Sequence, residues 1–219
     1  MITRRFFLSR ASALVPAGGA LIVGSRGARS ANVFAAADDD SFTPLFNGKD
    51  LTGWVTPDDK MLFTVENDEI VGRTKGDLKK NEFLVTAKDY GDFVLKAKVK
   101  FKNGNSGIQF RSKRAADGAV SGPQADVADG YWGLLYEERG RGILERYPEE
   151  KANKLVKKGD WNDFEIDAKG DHVIIHFNGV KIIDRVDPKF DKRGVIALQV
   201  HVGPPMEVRY KDIEIKAKD

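Results

Sequence analysis

The sequence predicts an all-β protein, a two-sheet antiparallel sandwich of the jelly-roll kind. Three observations carry this. From residue 42 onward the apolar residues recur with period two, Gly-rich turn signals separate the runs, and helical spacing is almost absent. The clearest run is 93–102. Phe93, Leu95, Ala97, Val99 and Phe101 share one face, and Lys96, Lys98, Lys100 and Lys102 share the other with Val94. That is a long strand with one dry and one wet face. Similar runs lie at 62–65, 69–74, 83–86, 107–112, 161–168, 195–201 and 207–215. The runs 172–178 and 180–186 flank Asn178-Gly179, the dipeptide best suited to a two-residue hairpin. Asn103-Gly104-Asn105 and Lys169-Gly170-Asp171 read as further turns. One short polar helix is expected over 149–158. No repeat of fixed period and no linker-like stretch interrupts residues 42–219, so 38–219 reads as a single domain.

Residues 1–37 read as a removable export signal. Arg4-Arg5 followed by Phe6-Phe7-Leu8 forms a twin-arginine segment, and the uncharged run 11–25 has 15 residues. That is short of the roughly 20 needed for a bilayer-spanning anchor. Ala35-Ala36-Ala37 supplies a small-residue cleavage pattern before Asp38-Asp39-Asp40. The expectation is a folded protein exported to the periplasm or beyond, with no membrane anchor after cleavage. The formal charge of +3 reflects this segment, which holds five arginines and no acid. Without it, 31 basic residues face 33 acidic ones over residues 38–219. A near-neutral domain carries no broad footprint for nucleic acid.

The chain has no cysteine, which excludes disulfides, thiolate metal sites and a cysteine nucleophile. It also lacks a Walker loop, a G-x-G-x-x-G turn, an H-E-x-x-H helix and a G-x-S-x-G elbow. Chemistry must come from elsewhere. By period two, Gln109 and Arg111 share an outer face, as do Gln124 and Asp126, and Gln199 and His201. Amides, a guanidinium, a carboxylate and an imidazole in otherwise apolar strands suggest a polar sheet face for a hydroxylated ligand. Singly, each is an ordinary solvated position. The segment 130–142 adds Tyr131, Trp132 and Tyr136 as flat apolar faces, with Glu137, Glu138, Arg139 and Arg141 as polar partners. Sugar recognition needs that mixture. A core strand running into a charged turn gives the same pattern. Glu137 and Glu138 point to opposite faces of a strand and make a poor glycosidase pair. His172 and His176 lie in the 172–186 hairpin and read as solvent-facing or cross-strand pairing residues.

Five blocks carry a family resemblance: residues 42–54, Asn105-Ser106-Gly107-Ile108-Gln109-Phe110-Arg111, Trp161-Asn162 with Ile166, Asn178-Gly179-Val180, and Leu198-Gln199-Val200-His201. In this order, from residue 42 to about 216, the chain resembles the 3-keto-disaccharide hydrolase family. The resemblance implies a concanavalin A-like jelly roll and cleavage of glycosides already oxidised to a ketone at sugar carbon 3. It implies a base (His201), an enolate stabiliser (Arg111, or a divalent cation held by Asp126 and His201) and an acid (Glu137). Gln109, Gln124, Gln199 and Arg139 would bind the sugar, with Trp132 or Tyr136 stacked on its ring. An oxidised di- or oligosaccharide is the expected substrate, and no organic cofactor is implied. One block departs. Many members carry G-Y-E-x-Q where this chain has Gly122-Pro123-Gln124-Ala125-Asp126, so the acid's role passes to Asp126 or the activity is altered. The alternative is a non-catalytic carbohydrate-binding module on the same scaffold.

Overall fold

A computed structural model describes residues 41–218; the export segment read at 1–37 lies outside them. In chain order the strands are β1 (Thr43–Pro44), β2 (Trp54–Val55), β3 (Phe63–Glu66), β4 (Glu69–Arg73), β5 (Glu82–Thr86), β6 (Phe93–Asn103), β7 (Ser106–Arg114), β8 (Val120–Val127), β9 (Leu134–Glu138) and β10 (Gly142–Arg146). A single α-helix among the described residues, α1 (Glu149–Leu155), precedes β11 (Asn162–Lys169), β12 (His172–Phe177), β13 (Val180–Val186), β14 (Val195–Val200) and β15 (Glu207–Ala217). The first sheet runs β13-β12-β11-β6-β15-β4-β3, with β1 beside β15; the second runs β10-β9-β8-β7-β14-β5-β2. Each pairing is antiparallel. The expected all-β sandwich is what forms.

Period two explains why the layers stack as they do. On β6, Phe93, Leu95, Ala97 and Val99 are buried while the lysines between them stay at the surface. A register slip of one residue would drive those lysines into the core, so the pairing of β6 with β11 and β15 has one solution. Phe164, Ile166, Val173, Ile175 and Phe177 complete this layer, and Ile108, Phe110, Leu135, Ile196 and Leu198 face it from the second sheet. Each such side chain contributes roughly 1.5–3 kcal/mol on burial. The Asn178-Gly179 turn forms as expected, with φ of 47° and 80°. Its Asn178 side chain also ties the hairpin down, donating to the Leu155 carbonyl and accepting from the Asp163 amide, both at 2.8 Å. His172 and His176 do pair across strands, His172 with Asp184 at 2.7 Å and His176 with Glu165 at 3.7 Å. The helix is shorter than the 149–158 stretch that suggested it; the Lys157-Lys158 end is loop.

Candidate functional site

One register row crosses the whole second sheet: Val55, Val85, Ala197, Gln109, Gln124, Tyr136 and Ile143 are successive partners on β2, β5, β14, β7, β8, β9 and β10. The row lies on the face turned away from the sandwich core. Two residues along, Phe83 pairs with Gln199, and Gly107 pairs with Asp126. The apolar part of this face, Phe83, Val85, Val120, Val195 and Ala197, forms a small second cluster. The polar part is Gln109, Gln124, Asp126 and Gln199. The three amides and the carboxylate that period two placed on outer faces do come together.

They form a directed chain. Gln109 Nε2 donates to Gln124 Oε1 at 3.2 Å, and Gln124 Nε2 donates to Asp126 Oδ1 at 2.6 Å and to Gln199 Oε1 at 3.5 Å. Gln199 Nε2 then donates to Glu138 Oε2 at 3.4 Å, while Glu138 Oε1 accepts from Asn81 Nδ2 at 3.3 Å. Gly107 makes this possible for a packing reason. A Cβ at Gly107 would stand 2.3 Å from Gln124 Cδ, so only a glycine lets the Gln124 amide lie across β7 toward Gln199. The floor is almost wholly buried, with Gln109 and Gln199 at 0% and Asp126 at 5% exposure. The segment around Leu78–Asn81 meets this network at Glu138, through Asn81. That segment is clipped to Gly203 by paired backbone bonds at Leu78 and to Val202 through Asn81 Oδ1, and Lys80 Nζ meets the Asp117 carbonyl. Beside it a cleft of about 290 Å³, lined in part by Asn81, Phe83, Glu138, Arg139 and Val202, opens onto Glu138.

Burial dominates the electrostatics. It pushes the Asp126 carboxyl up to about 7, with the Glu138 charge adding to the rise and the Gln124 hydrogen bond and the Arg146 charge opposing it. Asp126 is thus a carboxyl that exchanges a proton near neutrality. His201 stands just past the end of β14, half-buried, with Nδ1 2.6 Å from the Val202 carbonyl. A carbonyl only accepts, so Nδ1 is the donor in this contact and Nε2 is the nitrogen left for a ligand. By strand spacing, Gln199 and Asp126 are level and two strands or roughly 10 Å apart, and His201 lies two residues beyond Gln199.

Four expected site residues lie off this floor, three of them wholly and Arg139 at its rim. Arg111 is not on this face. Between Gln109 and Lys113 β7 advances four residues while β8 advances three, from Gln124 to Ser121. This bulge, with Arg111 at φ 46°, turns the side chain to the other side. There Arg111 is 0% exposed and donates to the Gly91, Ala168 and Gly170 carbonyls and to Asp92. It staples the two sheets. Trp132 is also core: it stacks on Phe177 at 5.2 Å and meets Phe101 edge-on at 5.7 Å. Glu137 faces away from the floor and grips Arg141 through the Arg141 backbone N–H, Nε and Nη2, with Arg141 Nη1 bound to Asp187. Those bonds hold the Glu137 carboxyl below its ordinary range, the reverse of what a proton donor needs. Arg139 sits at the β9–β10 turn with φ 53°, at the cleft rim rather than on the floor. Tyr136 remains beside Gln124.

Sequence reasoning missed Asn81 and Arg146, and named Glu138 only among the polar partners of 130–142 without a site role of its own. Leu135 facing the core puts Tyr136 and Glu138 outward, but Leu134 is equally apolar, so the phase of this short strand was ambiguous. A divalent cation fits poorly. Among the described residues no three His, Asp or Glu side chains gather to hold one, and the Gln124 N–H already occupies one Asp126 oxygen.

The 3-keto-alpha-glucoside-1,2-lyase-like domain family matches residues 41–216. The chain belongs to this family. A candidate glycosyl hydrolase from Parabacteroides distasonis is 26% identical, with a TM-score of 0.61 over 81% of this chain and 94% of its own. The carbohydrate-binding module CBM66 from Bacillus subtilis is 18% identical, with a TM-score of 0.56 over 75% of this chain and 96% of that one. A Bacillus licheniformis beta-glucanase is 13% identical, with a TM-score of 0.53 over 77% and 94%. These last two show the shared fold. No curated protein matches the chain. The family is one of carbohydrate-active domains, and a carbohydrate ligand suits the amide floor.

Proposed function

We propose that this domain cleaves 3-keto-glycosides by eliminating the C1 substituent and then hydrating the product. The observation that carries the reading is Asp126, a buried carboxyl pushed to about 7 and held by an amide in a floor of further amides. A ketone at C3 acidifies the C2 proton. Ionised Asp126 takes that proton, the electrons form the C2–C3 enolate, and the C1–O bond breaks to release the aglycone as its alkoxide. Arg146, whose charge is felt at Asp126, and the amide N–H groups stabilise the enolate oxygen. His201 Nε2 then takes a proton from water as its oxygen adds to C1, and that proton passes on to the aglycone. Asp126 returns its proton to C2. The sum is one glycoside and one water giving a 3-keto sugar and an alcohol. His201 therefore acts as a base in the second half, and the burial of Asp126 requires the floor to open to admit the ring. The twin-arginine segment supports a site of action outside the cytoplasm.

A binding module is the competing reading, favoured by an amide floor that binds hydroxyls without any base. Incubating the protein with an aryl 3-keto-glucoside, with and without chelator, separates the two. Released aglycone in both incubations is expected. No release with measurable sugar binding supports the module, and loss of release with chelator points to a cation instead.

A further inference from the structure

The chain of amides has a direction, and its direction leaves one atom exposed to consequence. An ionised carboxylate only accepts, so Glu138 requires an N–H from its amide partner. Gln199 must turn Nε2 to Glu138, and so presents Oε1 to Gln124. Gln124 must then turn Nε2 to Gln199 Oε1, with Asp126 Oδ1 accepting from the same nitrogen, and so presents Oε1 to Gln109. Gln109 can then only donate to Gln124, and its own Oε1 is left over. This oxygen is buried and has no hydrogen-bond partner, in a residue with 0% exposure. Its cross-strand neighbour on the other side is Ala197, the shortest side chain in the row, within the apolar cluster of Phe83, Val85, Val120 and Val195. A buried acceptor without a partner is destabilising unless something donates to it.

We infer that Gln109 Oε1 is a specificity-determining acceptor that reads one hydroxyl group of the bound sugar, its direction fixed by Glu138 through Gln199 and Gln124. This rests on the floor being the sugar site, and it adds a requirement: the ligand must carry an O–H donor where it meets Gln109. A ketone or a missing hydroxyl at that position leaves the acceptor unpaired and is rejected.

The test is a ligand-by-variant cycle. Titration calorimetry on the full chain uses a 3-keto-glucoside and its 2-, 4- and 6-deoxy analogues, with turnover of the same compounds followed in parallel. One analogue is expected to bind about 10- to 100-fold more weakly than the parent to the wild type. In Gln109→Met, which keeps the length and removes the acceptor, parent and that analogue should bind alike. Gln109→Glu, assayed at acidic pH where the buried neutral acid keeps both an O–H for Gln124 and a carbonyl acceptor, should retain the discrimination, which covers the case of a Met variant that does not fold. Wild-type affinities within 2-fold across the whole series overturn the inference without any variant. So does a penalty for the deoxy analogue that is unchanged in Gln109→Met, as when Oε1 is satisfied by a trapped water. Failure of the functional reading is distinct: no compound is turned over, whatever the binding cycle shows.

Discussion

Asp126→Asn tests the site through stability as well as rate. The substitution keeps the shape of the side chain and removes its titration. With the carboxyl held at about 7 in the folded protein against an ordinary 3.8, its ionisation at alkaline pH costs the fold on the order of 4 kcal/mol. The sign follows from which state binds the proton. Below pH 3.8 the carboxyl is neutral in both folded and unfolded chains, and nothing is lost. Between 3.8 and about 7 the unfolded chain ionises first, so folding stability falls as the pH rises. Above 7 the loss is complete. Wild type and Asp126→Asn should therefore melt together near pH 3.5 and diverge by about 10 °C at pH 8, with the variant the more stable. Turnover should move the other way. Wild-type kcat/KM should rise with pH through about 7, and the variant should lose roughly 100-fold or more, the usual worth of a positioned base. Thermal melts across the pH range and an aglycone-release assay measure both. Equal melting temperatures at pH 8 would refute the buried carboxyl, and undiminished turnover would refute its role.

Gly107→Ala should push the Gln124 amide off β7, since the new Cβ would lie 2.3 Å from its Cδ; calorimetry should show weakened sugar binding in a protein whose circular dichroism is unchanged. His201→Gln should lower overall hydrolysis while aglycone release in the first turnover stays near the wild-type rate, which a stopped-flow burst would show; a lost burst would make His201 the first base. Arg111→Met should leave three carbonyls and Asp92 without their donor, and lower stability by about 3–5 kcal/mol in urea titration.

The contrast between Gln109 and Arg111 shows where sequence reading stops. Period two is a property of the extended backbone, so alternation alone determined the sandwich, the long β6 strand and the Asn178-Gly179 hairpin. It also placed Gln109, Gln124, Asp126 and Gln199 on outward faces, because the apolar partners of each are unambiguous. Alternation fails at a bulge. One extra residue in β7 sent Arg111 into the core, and nothing in Gln109-Phe110-Arg111-Ser112 announces that residue. It fails again where both phases are apolar, as at Leu134-Leu135, which hid Glu138 behind Glu137. Trp132 could only be assigned once the sheets were stacked, since an aromatic serves a core and a sugar face equally well. The proton affinity of Asp126 and the unpaired Gln109 oxygen belong to the tertiary structure alone. Both arise from groups far apart in the chain, Asn81, Gln109, Gln124, Glu138 and Gln199, being brought into one buried network where water no longer levels their charges.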